Sequence, residues 1–532
     1  MNKTIRLSKA ILLACAASML LIPCSPIPGI AAAESSRSAE NVLIAYDSLA
    51  LGTPNEGNVE ALLRLLSAMG VPAALKRLSD DEALSLSHYQ AVIAVRNVPE
   101  LDGGYSKLSE ALAGYEGLFM HVGAGMEQPR AALLRLREGR TEPETARLDA
   151  GPLRHAAFVS SLERLPYIAF AEGNKHGEIR MSGSGRTTPF GVSGGSTAYV
   201  PVFRAGGPSC VAMGYLLRDW LGLNGEGNVY LLYKEIYPFP DLQRLNAVSG
   251  ALYEHGIPYI YSVRPVYRNL DYPAMQRYME MLRIAQSRNG SIFAGASVLS
   301  PAAGIQAGML EEKTALFLNV LAENGIVALG TGADAAYWWR EDMGYSEHGM
   351  DPFDSAVLFA PADPALLAGA GALPTRAFGS SMLSVSWDDI APYWLEPSAA
   401  LPVDLAITLD FYTTTEQMSE SIRKLRASGI PFADYKNGRH ETRTERHSMA
   451  SEGGILYIDG EQIGLARTAG SVSPEFDYRE EGPASFERLF TVQNYFYLTV
   501  IVCALAVFGV ILLAGRRLYR RKYLKGGGDD AS

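Results

Sequence analysis

The chain has 532 residues, 48% of them hydrophobic, and a formal net charge of −10. That length exceeds one ordinary domain, and the apolar content is ample for packed cores. The acidic balance excludes a nucleic-acid partner, because phosphate backbones are held by clustered Lys and Arg.

At the N-terminus Lys3, Arg6 and Lys9 precede the apolar run 10–22, and Ala31-Ala32-Ala33 offers small residues for cleavage. This pattern predicts an export signal over residues 1–33. Lipid modification of Cys24 is the rival reading, but Pro23 stands where such signals prefer a small residue. Cys15 and Cys24 leave with the signal and Cys503 lies in a C-terminal apolar stretch, so Cys210 has no partner for an internal disulfide. Signal style and cysteine avoidance together point to a bacterial surface.

Residues 40–225 are expected to form a first α/β domain with a β-rich second half. Apolar runs at 41–46, 91–95 and 117–122 read as strands, and 58–69 and 108–113 read as helices. The alternation implies a mostly parallel sheet, and its topology resembles the class I glutamine-amidotransferase or flavodoxin-like group. The chemistry of that group is not carried over. After Val122 the chain runs Gly123-Ala124-Gly125-Met126, with no thiol to serve as nucleophile. These glycines read as a tight turn rather than a phosphate cradle, and His121 as a satisfied buried histidine. Gly191-Val192-Ser193-Gly194-Gly195 matches G-x-S-x-G, but no apolar strand precedes it and no helix follows, so a glycine hairpin loop is expected there.

A second domain is expected over 227–440. Val229–Tyr233 reads as a strand, Leu242, Leu245, Val248 and Leu252 fall at helical spacing, and Tyr259–Val263 reads as the next strand. Further helices are expected at 272–289, 311–324 and 416–428. Strands are expected at 291–294, 326–329, 356–359, 405–409 and 432–434. Repeated βα units over this length imply a barrel or near-barrel with parallel strands.

Tyr-Pro-Phe after the first strand and Gly256-Ile257-Pro258 before the second carry a resemblance, extended by Asn289-Gly290-Ser291-Ile292 and the segment 405–434. The region resembles the predicted deacetylases allied to polysaccharide deacetylases. The resemblance implies a distorted (β/α) barrel that binds a polysaccharide and, in active members, removes acetyl groups with a divalent metal. It also implies an acidic pair after the first strand and a histidine motif after the third. This chain departs at each place. Lys234-Glu235 replaces the acidic pair, Ile292–Ser297 contains alanine where a histidine would stand, and no histidine occurs between His255 and His348. Gly330-Thr331-Gly332-Ala333 and Phe411-Tyr412-Thr413 replace later motifs. The expectation is therefore a barrel that has lost its metal site.

The weak catalytic candidates are Glu235, Asp388 and Asp389. The last two follow a strand-like stretch, yet Asp-Asp before Ile390-Ala391-Pro392 reads more readily as a cap. His440 and His447 read as part of a solvated loop. Among the aromatics, Tyr237, Trp338 and Trp339 are expected to face a glycan cleft, since sugar C–H faces stack on aromatic rings.

Residues 441–493 are polar, with a β-hairpin at 455–463, and lead to an uncharged run over 495–515. That run suffices to cross a bilayer, and Tyr495 and Tyr497 stand at one edge. Six Lys and Arg residues follow it in the tail 516–532, which places the tail in the cytoplasm and the bulk outside. The sequence thus implies a membrane-anchored, non-catalytic component of polysaccharide handling that works with membrane-associated machinery and needs no cofactor. The rivals are an active deacetylase with a rebuilt divalent-metal site, and a surface scaffold or sensor for another protein.

Overall fold

A computed structural model describes residues 42–78, 84–100, 104–159, 164–238, 242–266, 272–296, 309–334, 349–360, 378–411, 415–464 and 484–523. The expected export signal at 1–33, the residues Trp338 and Trp339, and the end of the tail lie outside the described residues. The chain divides into two units, Met1–Val472 and Ser473–Ser532.

The first unit opens with β1 (Val42–Tyr46), α1 (Asn58–Ala68), β2 (Ala73–Arg77), β3 (Ala91–Val95), α2 (Tyr105–Leu112) and β4 (Leu118–Val122). β1 and β3 are buried at every residue, as strands covered on both faces are, and β1 to β4 pair in parallel. There follow α3 (Gln128–Leu133), β5 (Arg137–Arg140), β6 (Ala146–Ala150), β7 (Leu153–Val159) and β8 (Pro166–Phe170). β9 (Asn174–Met181), β10 (Thr187–Gly194), β11 (Thr197–Val200) and α4 (Gly207–Trp220) complete this part. Nine strands share one sheet in the order β2-β1-β3-β4-β11-β10-β9-β6-β7. β11 is parallel to β4, whereas β10, β9, β6 and β7 are antiparallel. The sheet is therefore mixed, and the parallel arrangement expected for the domain is confined to one half.

Two local expectations are corrected here. The half expected to be β-rich ends not in strand but in α4, started by Pro208 in its first turn and buried along most of its length against β10, β6 and β9. Gly191–Gly194 is not a loop either. It lies within β10, and only Gly195-Ser196 form the turn. Gly191 is required there by crowding, since a Cβ would lie 2.3 Å from Leu216.

The second part is a closed barrel of seven parallel strands. Its elements are β12 (Val229–Ile236), α5 (Leu242–Glu254), β13 (Tyr259–Val263), α6 (Pro273–Ser287), β14 (Gly290–Gly295), α7 (Met309–Glu323) and β15 (Ala328–Asp334). β16 (Ser355–Phe359), β17 (Ser380–Ser386), α8 (Trp387–Ile390), β18 (Leu405–Asp410) and α9 (Thr415–Ala427) follow. β12 pairs with both β13 and β18, which closes the ring. β15 runs through Gly330-Thr331-Gly332-Ala333, carrying the strand expected at 326–329 further along the chain. A Cβ at Gly330 would meet Phe293 at 3.0 Å and one at Gly332 would meet Ser262 at 2.5 Å.

The amino end of the barrel is filled by a 3-10 turn (Tyr435–Asn437) and a sheet of β19 (His440–Arg443), β20 (Ser448–Glu452), β21 (Ile455–Ile458) and β22 (Glu461–Gln462). Tyr435 stands edge-on to Tyr230 and Phe293 at 5.1 and 5.0 Å, and His440 stacks on it at 3.8 Å. His440 is thus a buried member of a strand, with Nδ1 3.0 Å from Ser355 Oγ, and not part of a solvated loop. Residues 432–434 form no strand; Phe432 makes only an isolated bridge to Val229.

The sheet and the barrel are packed together. α1 lies against β17, Arg154 pairs with Glu396 at 2.6 Å, and the Tyr215 hydroxyl donates to the Ala400 carbonyl. Gly227 sits at the entry to the barrel, where its N–H donates to Leu401 O at 3.0 Å. A Cβ there would lie 1.9 Å from the carbonyl oxygen of Val403, a backbone atom that cannot rotate aside. Gly227→Ala is expected to lower stability by about 1–3 kcal/mol or more, as overpacking does, measured as a fall in the urea midpoint.

The second unit is described as α10 (Ala484–Tyr523), within which Tyr497–Arg520 is long and apolar enough to cross a membrane.

Candidate functional site at the carboxyl end of the barrel

In parallel barrels the residues following the strands' carboxyl ends converge, and chemistry is placed there. β12 ends irregularly. Its register against β13 shifts between Tyr233 and Ile236, and Glu235 in the shift has φ +57°, unusual for a residue with a side chain. The bulge re-aims Glu235, whose carboxylate pairs with the Arg264 guanidinium just beyond β13. Arg264 is fixed at its backbone by donating to Ile236 O at 2.8 Å, and its guanidinium lies 5.8 Å from the ring centroid of Tyr237. Tyr237 is 40% exposed.

Lys234 precedes the bulge and is opposite Asp410 in the β12–β18 register, with Nζ 3.2 Å from Oδ1. Both acids placed at this mouth by β12 and β18 are therefore held by cations. Asp388 and Asp389 lie in the first turn of α8, after Ser386, where negative charge is favoured by the exposed N–H groups. They diverge. Asp388 lines a cavity with Tyr233, Trp387 and Asp410, whereas Asp389 faces α4, within 3.4 Å of a Cβ placed on Gly207. Burial, then the neighbouring Asp388 charge, pushes the Asp389 carboxyl above its usual range.

Among the described residues, no three His, Cys, Asp or Glu side chains are grouped so as to hold a metal ion. His440 is at the amino end, and His447 pairs with Asp459 at 2.8 Å. His121 is fully buried in the first sheet beside Tyr105.

One constellation was only half visible in the sequence. Ser193 of the G-x-S-x-G match donates to Asp219 at 2.6 Å and lies 2.8 Å from His176 Nε2. Asp219 is also 3.2 Å from that same nitrogen, so the carboxylate closes a triangle instead of backing the imidazole from its far side. A nucleophilic relay needs the latter arrangement. Asn174 adds a donor to Asp219 at 3.1 Å, and the cluster reads as a satisfied tie between β9, β10 and α4.

No family model and no curated protein matches the sequence. Among solved structures the chain is similar to Agd3, described as a novel carbohydrate deacetylase, at 10% identity and TM-score 0.29, over 79% of this chain and 92% of that one. It is also similar to a peptidoglycan N-acetylglucosamine deacetylase, at 11% identity and TM-score 0.24, over 39% of this chain and 86% of that one. A family 4 carbohydrate esterase from Bacillus anthracis matches at 12% identity and TM-score 0.22, over 39% of this chain and 80% of that one.

Proposed function

We propose that this chain is a membrane-anchored, extracytoplasmic component of polysaccharide handling whose barrel binds a glycan and does not deacetylate it. The observation that carries the reading is the pairing at the barrel mouth. Glu235 is held by Arg264 and Asp410 by Lys234, so neither carboxylate presents the uncompensated charge that a metal or a general base needs. The resemblance of residues 227–440 to the polysaccharide-deacetylase group supports a glycan ligand. The apolar helix Tyr497–Arg520 supports the anchor, and the Lys and Arg residues after 515 support a cytoplasmic C-terminus.

Full-length protein purified in detergent tests this by metal analysis and by acetate release from acetylated glycans. The expected result is substoichiometric metal, no acetate release, and retention on a glycan resin. Stoichiometric divalent metal, with acetate release abolished in Glu235→Gln, overturns the proposal in favour of an active deacetylase. Neither retention nor release overturns it in favour of a protein partner.

A further inference from the structure

α10 runs without a break to Tyr523, past Gly515, the last residue of the uncharged run. Six of the ten residues 516–525 are Lys or Arg. Arg516, Arg517 and Arg520 are all exposed. At about 3.6 residues per turn these three fall within an arc of about 100°, and Tyr519, 64% exposed, stands outside it. No Asp or Glu occurs between Glu487 and Asp529, so the chain offers these guanidiniums no countercharge along the helix. The other end of the run differs. Tyr495 and Tyr497 stand there, both exposed, and no charged residue lies between Arg488 and Arg516.

The depth of these groups selects their partner. At about 1.5 Å per residue, Arg516, Arg517 and Arg520 lie about 2–8 Å past Gly515 along the helix axis. The headgroup layer on each side of a bilayer core is about 5–8 Å deep, so all three fall in it when the run spans. What they meet there is phospholipid phosphate, an acceptor that guanidiniums hold well. In a zwitterionic lipid an ammonium already offsets that phosphate, whereas a net-anionic lipid leaves its charge uncompensated. Six positive charges with no acid among them therefore draw the second kind. A soluble polyanion would have to displace headgroups to reach Arg516 and Arg517 at the base of the segment. We propose that the segment 516–525 gathers net-anionic phospholipids in its own leaflet, with headgroup phosphates on Arg516, Arg517 and Arg520. The proposal rests on the anchor reading above and adds to it the class of lipid.

The test equilibrates full-length protein in mild detergent with equal amounts of phosphatidylcholine and phosphatidylglycerol, and counts the retained lipids by native mass spectrometry. Arg516→Gln, Arg517→Gln and Arg520→Gln are combined in one variant, and Lys is placed at the same three positions in a second. Resistance to alkaline extraction from vesicles of the same two lipids reports whether the helix of each chain spans. The natural chain is expected to retain phosphatidylglycerol over phosphatidylcholine about tenfold or more, since each basic residue near an anionic surface favours it about fivefold. The Gln variant should lose most of that preference and the Lys variant, which keeps the charge, should keep most of it. Raised ionic strength should weaken the preference. Equal retention of the two lipids by the natural chain, or a preference that the Gln variant keeps, overturns the proposal. If the natural chain then still resists extraction, the anchor reading stands. Release of the natural chain by alkali overturns the anchor reading and this proposal together. If the Gln variant does not integrate, ionic strength decides on the natural chain, and a preference unmoved by salt overturns the proposal.

Discussion

Replacing Arg64 with Met is expected to cost about 3–5 kcal/mol of stability, the cost of leaving a buried partner charge uncompensated. Arg64 and Glu60 lie one turn apart on α1, with side chains 5% and 3% exposed and Nε 2.5 Å from Oε1. Burial works against the guanidinium charge, and the Glu60 carboxylate more than offsets it, so the Arg64 pKa ends above its usual value. A second guanidinium nitrogen, Nη1, donates to the Ser384 carbonyl on β17 at 3.2 Å, joining the first sheet to the barrel. Removing the cation strands Glu60 in a buried site. The double replacement Glu60→Leu with Arg64→Met removes both charges and is expected to recover most of the loss. Urea titration of the full-length chain in detergent checks both. A double variant as unstable as the single one would show that the stranded carboxylate is not the source of the loss.

Where a segment folds by its own pattern, the sequence was readable. β1, β3, β12, β13 and β18 are short apolar runs, and α5, α6 and α9 carry apolar residues at helical spacing, so these elements and the closed parallel barrel follow from local periodicity. α4 was missed because its start, Gly206-Gly207-Pro208, looks like a loop, and because its uniform burial removes the amphipathic pattern. The β15 strand was expected to end at 329, before its glycines, which are small to admit Phe293 and Phe359. At the candidate site, Lys234-Glu235 was visible as a departure from an acidic pair. What each residue is paired with was not, because Asp410 and Arg264 reach them through strand register and a bulge. His440 shows the limit most plainly. Its neighbours in sequence are charged, and only the stacked Tyr435 ring explains why it is buried.

The buried imidazoles should make stability fall steeply as pH drops below about 6.5, the ordinary histidine value. His121 is fully buried, and burial holds its pKa down to about 3. His440, 5% exposed, is held down to about 4, again chiefly by burial. Both values are depressed for a group that gains charge on protonation, so between these pH values and 6.5 the unfolded chain binds more protons than the folded one. Stability therefore rises with pH across the window, is fully present above 6.5, and is lost as pH falls towards about 4 and 3. Carried through the whole window, the loss amounts to roughly 5 kcal/mol for His121 and roughly 3 for His440, at about 1.4 kcal/mol per pKa unit. Carboxylates with depressed values, such as Asp219 and Asp459, contribute stability that is lost lower still, below their unfolded value of 3.8, whereas Glu60, Asp389 and Asp404, raised chiefly by burial, oppose the histidine slope above that value, so the histidine share is read from the difference between the natural chain and a variant. The Tyr105 hydroxyl, its own pKa raised by burial, lies 2.7 Å from His121 Nδ1, and an asparagine amide at position 121 can either accept or donate in that bond without titrating. His121→Asn is expected to reduce the slope of unfolding free energy against pH between 4 and 6.5 by about a third, with His440 and His176, also held down by burial, supplying the rest. An unchanged slope in urea titrations across that range would remove His121 as its source.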